Sequence, residues 1–70
     1  RVNTLAPGWT ITEKQRRLWL DEAGERAIAE NQCLPGYVMP AHIAAMALFL
    51  ASDVSAMCSS QTFIVDGGWV

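Results

Sequence analysis

The spacing of apolar and polar positions divides these 70 residues into short extended runs at the two ends and helical stretches between them. Arg1-Val2-Asn3-Thr4-Leu5-Ala6 predicts a strand over 1–6. Pro7-Gly8 ends it, because Pro cannot donate to a ladder and Gly supplies unusual backbone angles. A loop over 7–12 follows. Thr12-Glu13-Lys14-Gln15 then fits a capping box, in which Thr and the Gln three residues on satisfy each other's free N–H groups. It opens a helical stretch over 13–31 in two parts. The first runs from Glu13 toward Leu20, with Leu18 and Trp19 as its apolar contacts. The second runs from Asp21 toward Glu30, with Ala23, Ala27 and Ile28 as an apolar stripe and Gly24 as its weak point.

Asn31 to Met39 contains Pro35-Gly36 and reads as a loop. Pro40 suits the first turn of the next helix, where its missing N–H would have been unpaired anyway, and that helix is predicted over 40–52. Ser52-Asp53-Val54-Ser55 breaks it, with Ser55 to Ser59 able to add a turn. Gln61-Thr62-Phe63-Ile64-Val65-Asp66 is β-branched and aromatic, which predicts a buried strand over 62–66, stopped by Gly67-Gly68.

Strand, helices, strand is a βααβ unit of an α/β fold. Such a crossover places its two strands parallel. A two-stranded parallel sheet does not stand alone, because parallel sheets are covered on both faces and flanked by further strands. The stretch from Pro40 to Ala51 has His42 as its single strongly polar side chain. A helix apolar all round must be buried all round, so the pattern implies a cover: the rest of a parent domain or a second subunit in a homo-oligomer. Ala44, Ala45 and Ala47 would let another helix come close.

Composition points the same way. A compact chain of this length buries only about 60% of the surface its unfolded form exposes, yet 51% of the residues are hydrophobic and three are Trp. Cys33 and Cys58 form no Cys-x-x-Cys pair, and with one His they make no zinc set. They read as reduced thiols of a cytoplasmic protein. The formal charge of −2 gives no footprint for nucleic acid. Arg16-Arg17, with Glu13, Asp21 and Glu22 nearby, reads as a solvated helix face. The apolar run from Ile43 to Ala51 is too short to span a bilayer, so no membrane partner is expected. The first residue is Arg1 rather than Met, at the start of a strand-like run, which reads as a piece cut from something longer.

Three blocks carry a family resemblance. Val2-Asn3-Thr4-Leu5-Ala6-Pro7-Gly8 resembles the Asn-x-x-x-Pro-Gly signature that ends the sixth strand of short-chain dehydrogenases/reductases. Ile43-Ala44 with Ala47-Leu48-Phe49-Leu50-Ala51-Ser52-Asp53 resembles their last helix, and Gln61 with Val65-Asp66-Gly67-Gly68 their final strand and closing turn. The blocks come in the family's order and spacing and cover essentially the whole chain. Thr12-Glu13-Lys14-Gln15, Met57-Cys58 and Trp69-Val70 look closest to members acting on sugars or polyols.

The resemblance implies the C-terminal βααβ portion of a Rossmann-type doubly wound parallel sheet that binds NAD or NADP at the carboxyl ends of its strands. Pro7 and Gly8 would face the nicotinamide. Thr10 would use its backbone N–H and C=O to hold the carboxamide, although the family usually has an aliphatic residue there. Thr12 would offer its hydroxyl to the carboxamide or pyrophosphate, or spend it on the Gln15 cap. Trp9 would line a substrate pocket or pack under the helical stretch over 13–31, which corresponds to the family's mobile substrate lid.

The family's catalytic Tyr, the Lys four residues later and the carbonyl-polarising Ser have no counterpart here. Tyr37 sits in a loop with Ala41 four residues on, and Lys14 lies elsewhere. Gly67-Gly68 is a doublet with no helix after it, so it is no phosphate loop, and His42 has no acidic partner at motif spacing. No catalytic residue is therefore assigned. The sequence supports two functions: part of an NAD(P)-dependent oxidoreductase of sugars or polyols whose 70 residues are inactive alone, or a non-catalytic homo-oligomerisation module.

Overall fold

A computed structural model describes residues 1–18 and 20–70. Its elements are β1 (Thr4–Pro7), α1 (Glu13–Leu18), α2 (Glu22–Asn31), α3 (Pro40–Ala51), a 3₁₀ turn over Asp53–Ser55 and β2 (Thr62–Val65). The two strands pair in parallel, Thr4 beside Thr62 through Pro7 beside Val65. Both strands and the three α-helices fall within the stretches read from the sequence with ends shifted by a few residues, whereas the 3₁₀ turn lies at Asp53–Ser55 rather than over Ser55 to Ser59.

The shifts have causes. The first strand starts at Thr4 rather than Arg1, because the Arg1 guanidinium is drawn to the end of α3 and the Val2 N–H goes to the Ser59 hydroxyl. Pro7, expected in the loop, is the last strand residue. Thr4 and Gly8 donate to Gln61 and Val65, so the intervening Pro7 turns its nitrogen away from β2, where no donor is needed. Asp21 stands outside α2 as its cap, its carboxylate accepting the Gly24 N–H at 2.8 Å. In the α2 stripe Ile28 is buried and Ala27 half-buried, whereas Ala23 is exposed. Leu18 is 57% exposed, less buried than an apolar contact residue is expected to be. The contact expected of Trp19 lies outside the described residues.

Helix α3 begins with Pro40 in its first turn, and the Met39 N–H donates to His42 Nδ1 at 2.8 Å, which gives the polar side chain of that helix a capping role. Ile43, Met46 and Leu50, at i, i+3 and i+7, are its half-buried positions, and α3 packs on both strands. Leu48 is 73% exposed on the remaining surface. The C-terminal end is closed by a polar knot. The buried Ser55 hydroxyl lies 2.8 Å from the Phe49 carbonyl and accepts from Arg1 at 2.9 Å, while Arg1 also reaches the Ser55 and Ser52 carbonyls. Carbonyls that a helix end leaves orphaned are thereby satisfied.

Among the described residues three hydrophobic side chains are buried, Ile11, Ile28 and Val38, none of them in a strand. The accessible surface is 5140 Å², whereas a compact 7.7 kDa chain would expose about 4,300 Å². The radius of gyration is 13.9 Å, against about 11 Å for a compact domain of this length. Among the described residues, no helix is long and apolar enough to cross a membrane.

Ser55→Ala is expected to lower stability by about 1–3 kcal/mol, because it strands buried polar groups at the end of α3. A thermal midpoint equal to the parent's would show that the knot does not hold that end.

Candidate functional site

Parallel strands bring their carboxyl ends to one side, and the loop after β1 meets the turn after β2 there. Gly8 donates to the Val65 carbonyl at 2.8 Å. A Cβ at position 8 would lie 2.5 Å from the Asp66 Cβ and 2.6 Å from its Cα. No side chain fits at such a distance, so the absence of one is what lets the two segments touch.

Beyond Gly8 the loop is pinned by Thr10, which bridges to Val38 in parallel sense, with the Ile11 N–H donating to the Val38 carbonyl at 2.8 Å. In that pattern the groups used belong to the neighbours of Thr10. Among the described residues, neither the N–H nor the C=O of Thr10 has a hydrogen-bond partner. The Thr10 hydroxyl is turned back to the Gly8 carbonyl at 3.2 Å. Ile11, 1% exposed, anchors the loop from below. The Thr12 hydroxyl accepts the Gln15 N–H at 3.1 Å, so the capping reading of Thr12 holds for one of the two bonds expected. An accepting hydroxyl keeps its own proton to donate, so the cap does not consume Thr12.

Trp9 packs as one of its two readings expects. Its indole lies 2.9 Å from where a Cβ on Gly24 would stand, so it packs against the start of α2. Gly24 costs the helix about 1 kcal/mol relative to Ala and provides the space the indole uses. Trp9 also faces Trp69, with ring centroids 6.5 Å apart and planes at 55°. Gly8, Trp9, Asp66 and Trp69 line an open pocket of ≈ 340 Å³. Of the residues singled out in the sequence, Pro7, Gly8, Trp9 and Thr10 are therefore gathered at the strand ends. Thr12 stands one turn away at the head of α1.

The sequence places Asp66 in the closing turn and Trp69 in the terminal pair, and assigns neither to a site. Asp66 Oδ1 accepts the Gly68 N–H at 2.8 Å. Gly67 and Gly68 hold φ of 69° and 78°, the left-handed region that favours Gly. Their carbonyls accept the Leu34 and Cys33 N–H groups, both at 2.9 Å. Trp69 pairs antiparallel with Gln32, and Val70 donates to the Asn31 carbonyl. The Gly doublet does more than stop a strand: it turns the chain back along the end of α2. An Asp-Gly-Gly turn followed by Trp was the available signal.

A larger hollow of ≈ 520 Å³ lies under the loop after α2, lined by Glu25, Ile28, Cys33 and Tyr37 among others. It stands away from the strand ends, where parallel α/β sheets bind their ligands, so the smaller pocket is the better candidate. Tyr37 there donates to Glu25 Oε1 at 2.8 Å. That bond, then loss of water and the Glu25 charge, raise the phenol above its ordinary 10.0, with Arg16 opposing. A tyrosine acting as a proton donor near neutral pH needs the opposite shift. Cys33 and Cys58 are unpaired, and among the described residues no three His, Cys, Asp or Glu side chains gather as metal ligands.

A family model described as Enoyl-(Acyl carrier protein) reductase matches residues 1–70. The chain is 46% identical over 68 residues to the probable galactose dehydrogenase GalD of Rhizobium meliloti, covering 97% of this chain and 27% of the relative. It is 39% identical over 69 residues to D-xylose 1-dehydrogenase of Caulobacter vibrioides, covering 99% and 27%. A solved 4-hydroxyisoleucine dehydrogenase complexed with NADH superposes with a TM-score of 0.80 at 31% identity, over 100% of this chain and 27% of that one. The chain thus spans about a quarter of the length of the relatives it matches. Its parallel strand pair with the intervening helices matches a portion of their Rossmann-type α/β fold.

Gly8→Ala is expected to force the strand ends apart and to destabilise by about 1–3 kcal/mol, as overpacking does. An unchanged thermal midpoint would mean that Asp66 yields freely. For Tyr37 the raised value means that the fold favours the neutral phenol. Its bond to Glu25 therefore contributes fully below pH 10.0 and is lost as pH rises through the raised value. Glu25→Gln should bring the phenolate absorbance transition of Tyr37 to lower pH, and a transition that stays put would deny the contact.

Proposed function

The chain belongs to the short-chain dehydrogenases/reductases, and from that membership we propose that it forms one wall of the nicotinamide site of an NAD(P)-dependent oxidoreductase. The single observation that carries the reading is Thr10: an N–H donor and a C=O acceptor, unpaired among the described residues, at the carboxyl end of a parallel strand pair. A carboxamide offers the matching acceptor and donor. Such a pair left open beside buried Ile11 fits the group.

Pro7 and Gly8 bring the main chain to the ring, and Thr10 fixes the carboxamide and hence the ring face presented. The fit uses backbone atoms, so Thr at a place where the family usually has an aliphatic residue does not disturb it. Thr12 donates its free hydroxyl proton to the carboxamide or pyrophosphate while its oxygen caps α1. Once bound, the nicotinamide supplies hydride exchange with a hydroxyl or carbonyl substrate. The segment from α1 through α2 closes over that substrate, and Trp9 lines its pocket. General acid and base work falls to residues outside these 70. The named relatives act on galactose and xylose, and a sugar or polyol substrate is proposed here.

The excess accessible surface and the exposed Leu48 on α3 support a cover over that helix, either the rest of the parent domain or a second copy in a homo-oligomer. Unpaired Cys33 and Cys58 favour a reducing compartment, and we place the protein in the cytoplasm.

Thr10→Pro in the full-length enzyme removes the donor and should raise the KM for NAD or NADP by on the order of tenfold or more. Thr10→Val, which keeps both backbone groups, should leave it within about twofold. Equal behaviour of the two variants would refute the carboxamide contact.

A further inference from the structure

The pocket at the strand ends contains more than a cofactor contact needs. Trp69 is held there by its chain rather than by chance: its backbone pairs with Gln32, and the next N–H is fixed by Asn31. Its indole remains 38% exposed. With Trp9 it forms an open angle of 55°, so the pair presents aromatic surface to the pocket as well as to each other. The third group is Asp66. Its Oδ1 is tethered by the Gly68 N–H at 2.8 Å, which sets the carboxylate plane. A carboxylate has about four lone-pair sites, so Oδ2 remains able to accept.

We propose that Trp9, Trp69 and Asp66 form a sugar-recognition subsite that selects a ring-form sugar over an open-chain polyol. The proposal rests on the dehydrogenase reading above and names which residues read its substrate. The chemistry is complementary at two points. The face of an aromatic ring is negative, and the C–H face of a cyclic sugar presents weakly positive hydrogens to it. A sugar hydroxyl donating to a carboxylate makes a charge-assisted bond roughly twice as strong as a neutral one. An open-chain polyol has the hydroxyls and lacks a fixed flat face, and it loses rotor freedom on binding that a ring has already given up. The pocket's ≈ 340 Å³ falls in the range of small-ligand sites. Its walls adjoin Thr10 by one residue, which places a bound sugar beside the proposed nicotinamide.

The test compares initial rates of the full-length enzyme on D-xylose or D-galactose and on threitol, with NAD and NADP. The unaltered enzyme should prefer the ring sugar. Trp69→Leu should lower the sugar-to-polyol ratio of kcat/KM about three- to tenfold, with Trp69→Phe restoring most of it and the KM for the cofactor holding in each. Asp66→Asn should raise the KM for the sugar about tenfold, with kcat changing less. Thermal midpoints confirm that the variants fold, and Trp69→Phe with Asp66→Asn decide the matter if Trp69→Leu does not. A ratio within twofold of the unaltered enzyme's in Trp69→Leu, a sugar KM within twofold in Asp66→Asn, or a preference of the unaltered enzyme for threitol overturns the subsite while leaving the dehydrogenase reading intact. No turnover of sugar, polyol or simple secondary alcohol with either cofactor overturns both.

Discussion

At the carboxyl end of the β1–β2 pair the Asp66 main chain runs so close to Gly8 that a Cβ there would stand 2.6 Å from the Asp66 Cα. The consequences spread in both directions along the chain. Because Gly8 can donate to Val65 at that distance, the parallel ladder continues to its last bond and Pro7 needs no donor of its own. Because Asp66 is brought in, the following Gly67 and Gly68 must turn in the left-handed region, and this turn delivers Trp69 to Trp9. The pocket, its aromatic pair and its carboxylate all follow from one missing methyl group.

Helices α1 and α2 are attached in a different way. Among the described residues, α1 and α2 pack on neither strand, nor on α3, nor on each other. They are tied instead through loops: Trp9 against Gly24, Tyr37 to Glu25, and residues 67–70 along the end of α2. Ties of this kind hold less apolar area than a helix face laid on a sheet, and such segments open at low free-energy cost. The tight element is the bridge at Thr10 and Val38, with Ile11 and Val38 buried beside it. A fixed loop edge beneath a lightly held helical segment suits a site that must position one ligand and admit another.

The opposite side of the molecule shows what these residues do not provide for themselves. Half-buried Ile43, Met46 and Leu50 seat α3 on the strands, yet Leu48 stands in solvent, and among the described residues β1 has a partner on one edge only. Parallel sheets persist where both faces are covered. The surplus of accessible area over that of a compact chain is about 800 Å², close to what one partner contributes to a standard interface.

Local physics made much of this legible from the residues alone. Periodicity and capping chemistry located each helix, β-branched runs located both strands, and Pro7-Gly8 marked the loop where the candidate site lies, because these signals act between neighbours within a few positions. The ends of elements were less legible: Arg1 leaves its strand for carbonyls at the end of α3, and Leu18 stays largely exposed. The tertiary structure alone decided that Asp66 abuts Gly8, that Gly24 makes room for Trp9, that Trp69 comes to face Trp9 and that Ser55 and Arg1 close α3. Each joins residues distant in the chain, and no propensity or period records such a meeting. It is set by how the strands register and by how closely two backbones can approach.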